Sequence, residues 1–212
     1  MNPGQRLITL EGGEGAGKSS ALQAVRDWFE ARGLPLWCSR EPGGTELGEE
    51  LRELILRPRQ EAVSALSELF MVFAARAQHL QQEVLPRLQA GTWVVLDRFS
   101  DASYAYQGGG RGIASARIAE LERWVQGDLR PGLVLWLDVP IAIGLARAAQ
   151  RSGDADRIGA ESTGFMQRVQ AVYAERCQRY ASHQRIDAAQ PIAAVRADLL
   201  RQLERHVATV CS

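Results

Sequence analysis

The chain is short of cysteine, of long apolar runs and of net charge, and each shortage closes off a class of protein. Its three cysteines, Cys38, Cys177 and Cys211, are scattered and form no C-x-x-C pair. An odd, dispersed set builds neither a disulfide framework nor a thiolate metal site, and points to reduced thiols in the cytoplasm. The three histidines, His79, His183 and His206, show no metal-ligand spacing. No apolar run approaches the roughly 20 residues of a membrane span. The opening residues, MNPGQRLITLEGGEG, lack the basic-then-apolar pattern of a secretory leader. The 25 basic residues balance 25 acidic ones, so the formal net charge is zero. No global positive field favours nucleic acid or an anionic membrane.

What is present is ordinary globular material. Of 212 residues, 46% are hydrophobic, enough for one compact α/β domain spanning 1–212. Apolar runs at 7–10, 34–40, 92–97, 133–139 and 184–187 read as strands. Between them, helical periodicity covers 18–32, 45–56, 64–80 (continuing or restarting towards 88), 115–126, 140–151 and 165–180, with a last helix from 191. A helix over 100–106 is expected to stop at the glycine cluster 108–112, and Thr45 and Ser115 are the expected caps of their helices. Strands alternating with helices imply a parallel sheet covered on both faces.

The first strand leads into EGGEGAGKSS (11–20), which holds the spacing Gly12-x-x-x-x-Gly17-Lys18-Ser19. In a loop of this kind, over Gly12, Gly13, Glu14, Gly15, Ala16 and Gly17, backbone N–H groups wrap nucleotide phosphates. The helix start at Lys18, Ser19 and Ser20 adds its dipole. Lys18 would reach the β/γ-phosphates and the Ser19 hydroxyl would help hold Mg²⁺. The loop alone does not separate ATPase, GTPase and kinase, but no Asn-Lys-x-Asp guanine signature is present. Glu14 is out of place against phosphates, so it is expected to face a second substrate or a Mg²⁺-bound water.

Further along stand SREPGGT (39–45), FMVFAARAQH (70–79) and LDRFSDASYAYQGGGRG (96–112). With the phosphate loop, these resemble the thymidylate kinase family in order over nearly the whole chain. The resemblance implies a three-layer P-loop nucleoside monophosphate kinase fold, a parallel sheet flanked by helices, that transfers phosphate from ATP to dTMP with Mg²⁺. It implies that Arg40, Arg52 and Arg98 face the acceptor phosphate, with Glu41 organising cations or a Mg²⁺-bound water. Asp97 would sit near the metal. Arg76 would bond the base edge and an aromatic would stack on it, Phe73 or Phe70. Ser103 and Gln107 would contact the base, and Tyr106 would fill the space of a ribose 2′-OH. Arg147 would lie against adenine.

The phosphate loop has no arginine. The resemblance therefore places the arginine finger in a lid at 148–163, with Arg151 as first choice and Arg157 as the alternative. Gly159 stands where relatives commonly carry a glutamate, with Glu161 the nearest later acid. The partners implied are dTMP, ATP and a second copy of the chain in a cytoplasmic homodimer, with neither nucleic acid nor membrane. Rival readings are a kinase for another nucleoside monophosphate or a deoxynucleoside, and a nucleotide-binding regulator without turnover.

Overall fold

The computed structural model describes residues 3–150 and 157–211, in which Pro3–Arg6 forms a 3₁₀ turn. Five strands, β1 (Leu7–Glu11), β2 (Leu36–Arg40), β3 (Trp93–Asp97), β4 (Leu133–Asp138) and β5 (His183–Asp187), form one parallel sheet in the order β2-β3-β1-β4-β5. The helices are α1 (Lys18–Glu30), α2 (Glu46–Leu56), α3 (Ala65–His79), α4 (Leu85–Gln89), α5 (Ser100–Ser103), α6 (Ser115–Gln126), α7 (Ile141–Ala149), α8 (Thr163–Arg179) and α9 (Ile192–Cys211). None is long and apolar enough to cross a membrane among the described residues.

The period-2 alternation of a strand explains the layers. Ile8, Leu10, Trp93 and Val95 point to one face, where Val25 and Phe29 of α1 and Leu199 and Leu203 of α9 cover them. Leu7, Val94 and Leu96 point to the other, against Leu80, Val84, Leu88 and Phe99. With both faces buried, β1, β3 and β4 read as nearly continuous apolar runs, as expected of central parallel strands. The result is the expected three-layer architecture, a parallel sheet with helices on each side.

The register gathers the strand ends. Asp97 lies opposite both Leu10 and Arg40, so the residues that follow β1, β2 and β3 meet at one edge. β1 has β3 on one side and β4 on the other, and the crevice at such a switch point is where open α/β sheets bind ligands.

Side-chain caps close the starts of α2, α3 and α8. Thr45 accepts from Gly48 N–H and Ser64 from Ser67 N–H, each closing a helix N-terminus. At α6 the expected cap is displaced by one residue: Ala114 occupies the cap position, Ser115 is already helical, and no side chain bonds there. The glycine cluster also behaves differently from expectation. After α5 the chain continues in wide π-helical turns from Tyr104 to Gly110. Arg168 of α8 donates to the Gly109 and Gly110 carbonyls, supplying donors that a regular helix would have found within itself. A second π segment, Leu80–Val84, joins α3 to α4.

Candidate active site

The loop between β1 and α1 is shaped by backbone clearance. Gly12 and Gly15 hold positive φ values of 139° and 66°. A Cβ on Gly12 would collide with the Leu137 carbonyl, and one on Gly15 with the Gly144 carbonyl of α7. Only glycine meets both demands. The start of α1 carries neither a side-chain cap nor an acidic residue in its first turn, which leaves its N–H groups available to an anion. Lys18 curls back to donate to the Gly12 and Gly13 carbonyls, at 3.2 and 3.1 Å. Burial, and after it the nearby charge of Arg98, lowers its pKa to about 8. Lys18 is the only lysine in the chain.

Between this loop and the acceptor side stands Arg98. Its φ of 71° makes it the non-glycine residue in the left-handed region among those described, a strained placement of the kind that collects at functional sites. Its guanidinium donates to Glu14 Oε1 at 2.9 Å, to the Gly12 carbonyl at 2.9 Å and to the Tyr173 hydroxyl at 3.4 Å. It also lies 4.8 Å from the centre of the Tyr106 ring. Burial works against its charge, and the oxygens of Tyr106, Tyr173, Glu14 and Asp97 more than offset that. Glu14 thus has a cation beside it, Arg98, which comes from β3 rather than from the loop.

Asp97 Oδ1 is buried and takes no hydrogen bond from any described residue. Asp97 and Ser19 line the same clefts. No group of three or more His, Cys, Asp or Glu able to hold a metal occurs among the described residues. A single carboxylate oxygen without a partner, beside a hydroxyl and next to a phosphate loop, fits Mg²⁺, which keeps waters and takes few protein ligands. Ser19 and Asp97 are the residues that would hold it.

Beyond Arg98 lies a cavity of about 260 Å³, whose lining includes Glu14, Arg52, Val72, Arg76, Arg98, Ser103, Tyr106 and Gln107. Arg76 is 1% exposed. It donates to Glu41 at 2.6 Å, and to the Phe99 carbonyl and Ser103 Oγ at 3.0 Å each. Glu41 also meets His79 Nδ1 at 3.1 Å, and His79 Nε2 meets Ser39 Oγ at 2.9 Å. Burial would raise the Glu41 pKa, but Arg76 and His79 hold it below the usual carboxylate range. Arg52 donates to the Pro42 carbonyl from α2.

Other expected site residues fall elsewhere. Arg40 is largely exposed and bonded to Glu49 at 2.7 Å; it lines the adjoining cleft with Ser19 and Asp97 rather than the main cavity. Phe73 is a correction to the stacking expectation. It is 3% exposed and packs with Leu69, Tyr104 and Ile118, while Val72 lines the cavity. Val72 and Arg76 are four residues apart and share a helix face; Phe73 is turned about 100° from Val72. Phe70 points to solvent. The rings at the cavity are Phe99 and Tyr106. Arg147 donates to the Ala188 carbonyl at 2.8 Å and lines the cleft on the other side of the loop with Gly15, Ala16, Gly17 and Ser20. Arg151 lies outside the described residues. Arg157 is bonded to Glu68 at 2.6 Å and to the Ile55 carbonyl at 2.8 Å, and Glu161 pairs with Arg111.

Three buried groups escaped the sequence reading. Glu68, on α3, receives bonds from Gln107, Arg111 and Arg157. Tyr173 of α8 bridges Arg98 and Glu11. Glu11 itself is fully buried and accepts from the Phe99 N–H at 2.7 Å. Burial, with Asp101 nearby, raises its pKa to about 8. A signal for Glu68 does exist, because Glu68, Val72 and Arg76 recur every four residues along one helix face.

Comparison with known proteins bears on this geometry. The family profile described as Thymidylate kinase matches residues 10–199. The chain is 51% identical over 191 residues to a thymidylate kinase of Alkalilimnicola ehrlichii, covering 90% of this chain and 88% of that protein. It is 50% identical over 200 residues to one of Teredinibacter turnerae, covering 94% and 97%. It is 44% identical over 201 residues to one of a Marinomonas species, covering 94% of each.

Proposed function

The chain belongs to the thymidylate kinase family, and from that premise we propose how its residues divide the work. The enzyme is a nucleoside monophosphate kinase that phosphorylates dTMP to dTDP in dTTP synthesis. ATP is the donor we assign, cradled by Gly12–Ser20 with Lys18 on its phosphates and Arg147 beside adenine. Mg²⁺, held by Ser19 and Asp97, would neutralise developing charge on the phosphates. The Glu14–Arg98 pair between the loop and the cavity is the observation that carries this division.

Arg98 screens the two phosphate groups as they approach and stabilises charge in the transition state. Arg52 binds the acceptor phosphate, and Arg40 approaches it from the adjoining cleft. Glu14 keeps Arg98 oriented and faces the sugar. Glu41 acts through Arg76, whose guanidinium it aims at the base. Ser103 and Gln107 contact the base, and the Tyr106 ring excludes a 2′-hydroxyl. The acceptor phosphate oxygen is already anionic, so it attacks the terminal phosphorus of ATP without a general base. The bond to the ADP oxygen breaks and ADP leaves with that electron pair. From the sequence we assign Arg151 as the finger, within a functional segment at 148–163 of a single domain.

Two further assignments complete the reading. Leu66 and Phe70 of α3, Leu47 and Leu54 of α2, and Trp124 of α6 are exposed and supply the apolar surface of a homodimer, which sedimentation checks. Three free thiols suit a reducing cytoplasm.

Coupled measurement of ADP release across nucleoside monophosphates tests the proposal. Mg²⁺-dependent ADP release with dTMP is expected. Turnover with dTMP undiminished by chelation of Mg²⁺, or by Arg151→Ala, would remove the corresponding assignment.

A further inference from the structure

Glu68 is wholly buried on the helix that lines the cavity, yet it touches neither the phosphate loop nor the strand-end residues. Its Oε2 accepts from Arg157 at 2.6 Å, and Arg111 Nε donates to both its oxygens, at 3.1 and 3.2 Å. Its Oε1 receives the Gln107 amide nitrogen at 2.9 Å. Two guanidinium groups on one buried carboxyl keep it ionised, and an ionised carboxylate can only accept. Gln107 therefore has no choice of orientation. An amide turned the other way would set its carbonyl oxygen against the carboxylate, two acceptors face to face in a buried place.

We propose that Glu68 is a positioning residue for acceptor selection, locking the Gln107 amide with its oxygen towards the cavity. Gln107 lines that cavity, and its Oε1 takes no hydrogen bond from any described residue. The cavity thus presents a fixed acceptor at this point. A base edge offering an N–H there, as thymine and uracil do at N3, is matched. Cytosine, offering a lone pair at N3, meets acceptor with acceptor. Arg111 and Arg157 act one step further out: they hold the charge that holds the amide. This inference rests on the reading of Gln107 as a base-contacting group.

Glu68→Gln is the test, because it keeps shape and removes the acceptor-only character, freeing Gln107 to turn. Specificity constants would be measured for dTMP, dUMP and dCMP at saturating ATP and Mg²⁺. Turnover of dTMP by the unaltered enzyme checks the underlying reading separately. In E68Q the dTMP/dCMP ratio is expected to fall about tenfold, the scale of one hydrogen bond. The dTMP/dUMP ratio, which reports only the 5-methyl group, should stay within about twofold. A general loss of structure would not spare one ratio and change the other.

The exchanged pair E68Q/Q107E retains one carboxylate for the arginines and one acceptor on the cavity, and is expected to recover the dTMP/dCMP ratio. A folded E68Q with the ratio unchanged would overturn the inference. So would a folded exchanged pair with the ratio still reduced.

Discussion

Lys18 and Arg76 are both cations of the site, and they are held in opposite ways. Lys18 bonds carbonyls six and five positions away in its own loop. Arg76 is fixed by Glu41, Phe99 and Ser103, which lie 35, 23 and 27 positions away. The phosphate loop is therefore a backbone device within one strand–loop–helix unit, backed by the Leu137 and Gly144 carbonyls. The acceptor half is a lattice of buried polar and charged groups contributed by α3, α5 and the residues that follow β2 and β3. A side chain of the phosphate loop is expected to be lost with less effect on folding. One in the lattice also supports the core, so its loss should cost both binding and stability.

The largest effect expected from this difference is Arg76→Met. It leaves the Glu41 carboxylate buried with only His79 beside it. Removing one partner of such a pair typically costs about 3–5 kcal/mol. Denaturant unfolding should show that loss together with loss of dTMP binding. Stability within about 1 kcal/mol of the unaltered chain would break the comparison.

Arg98→Ala comes next and should behave in the opposite sense. Its guanidinium faces the cavity and the loop, and on the proposed mechanism its removal would withdraw charge from the phosphates. A fall in kcat of about 10²–10³-fold is expected, with a smaller change in unfolding free energy than in Arg76→Met. Relief of the positive φ is not part of this test, since alanine inherits it.

The third prediction concerns pH. Lys18 has its pKa lowered to about 8, chiefly by burial and then by Arg98. In the free enzyme its cationic form is lost as pH rises through that value. Since kcat/KM reports the free enzyme, kcat/KM for ATP should fall above pH about 8, approaching tenfold per pH unit. Because Lys18 is the chain's only lysine, selective labelling of lysine side chains gives one NMR resonance whose titration midpoint checks the value directly. A midpoint near the ordinary lysine value of roughly 10.4 would contradict it.

The same contrast explains what could be read from the sequence. The phosphate loop is legible because its residue signature lies in one short spacing. The sheet is legible because burial on both faces leaves continuous apolar runs, and strand ends move by only a residue or two, as with β2 starting at Leu36. The acceptor half resists such reading. Glu68 gathers partners 39, 43 and 89 positions distant, and nothing local announces them. The π turns from Tyr104 to Gly110 are equally hidden, because their stability comes from Arg168 on another helix. The family resemblance names several cavity residues but not Glu68, and the phase of α3 follows from its packing.

That phase yields the smallest and most pointed prediction, Phe73→Leu against Val72→Ala. Phe73 belongs to the cluster with Leu69, Tyr104 and Ile118, with the Arg76 guanidinium 4.8 Å from its ring centre. Exchanging it for leucine removes ring packing and that cation–π contact, a loss of about 1–2 kcal/mol in unfolding free energy. The cavity wall is untouched, so KM for dTMP should stay within about twofold. Val72 lines the cavity, and its truncation should raise KM for dTMP several-fold, since a lost methyl or two in an apolar pocket is worth about 1–3 kcal/mol. If Phe73→Leu raised that KM more than Val72→Ala, the helix would be presenting its other face to the base, and the backbone-versus-lattice distinction would need redrawing around a stacked ring.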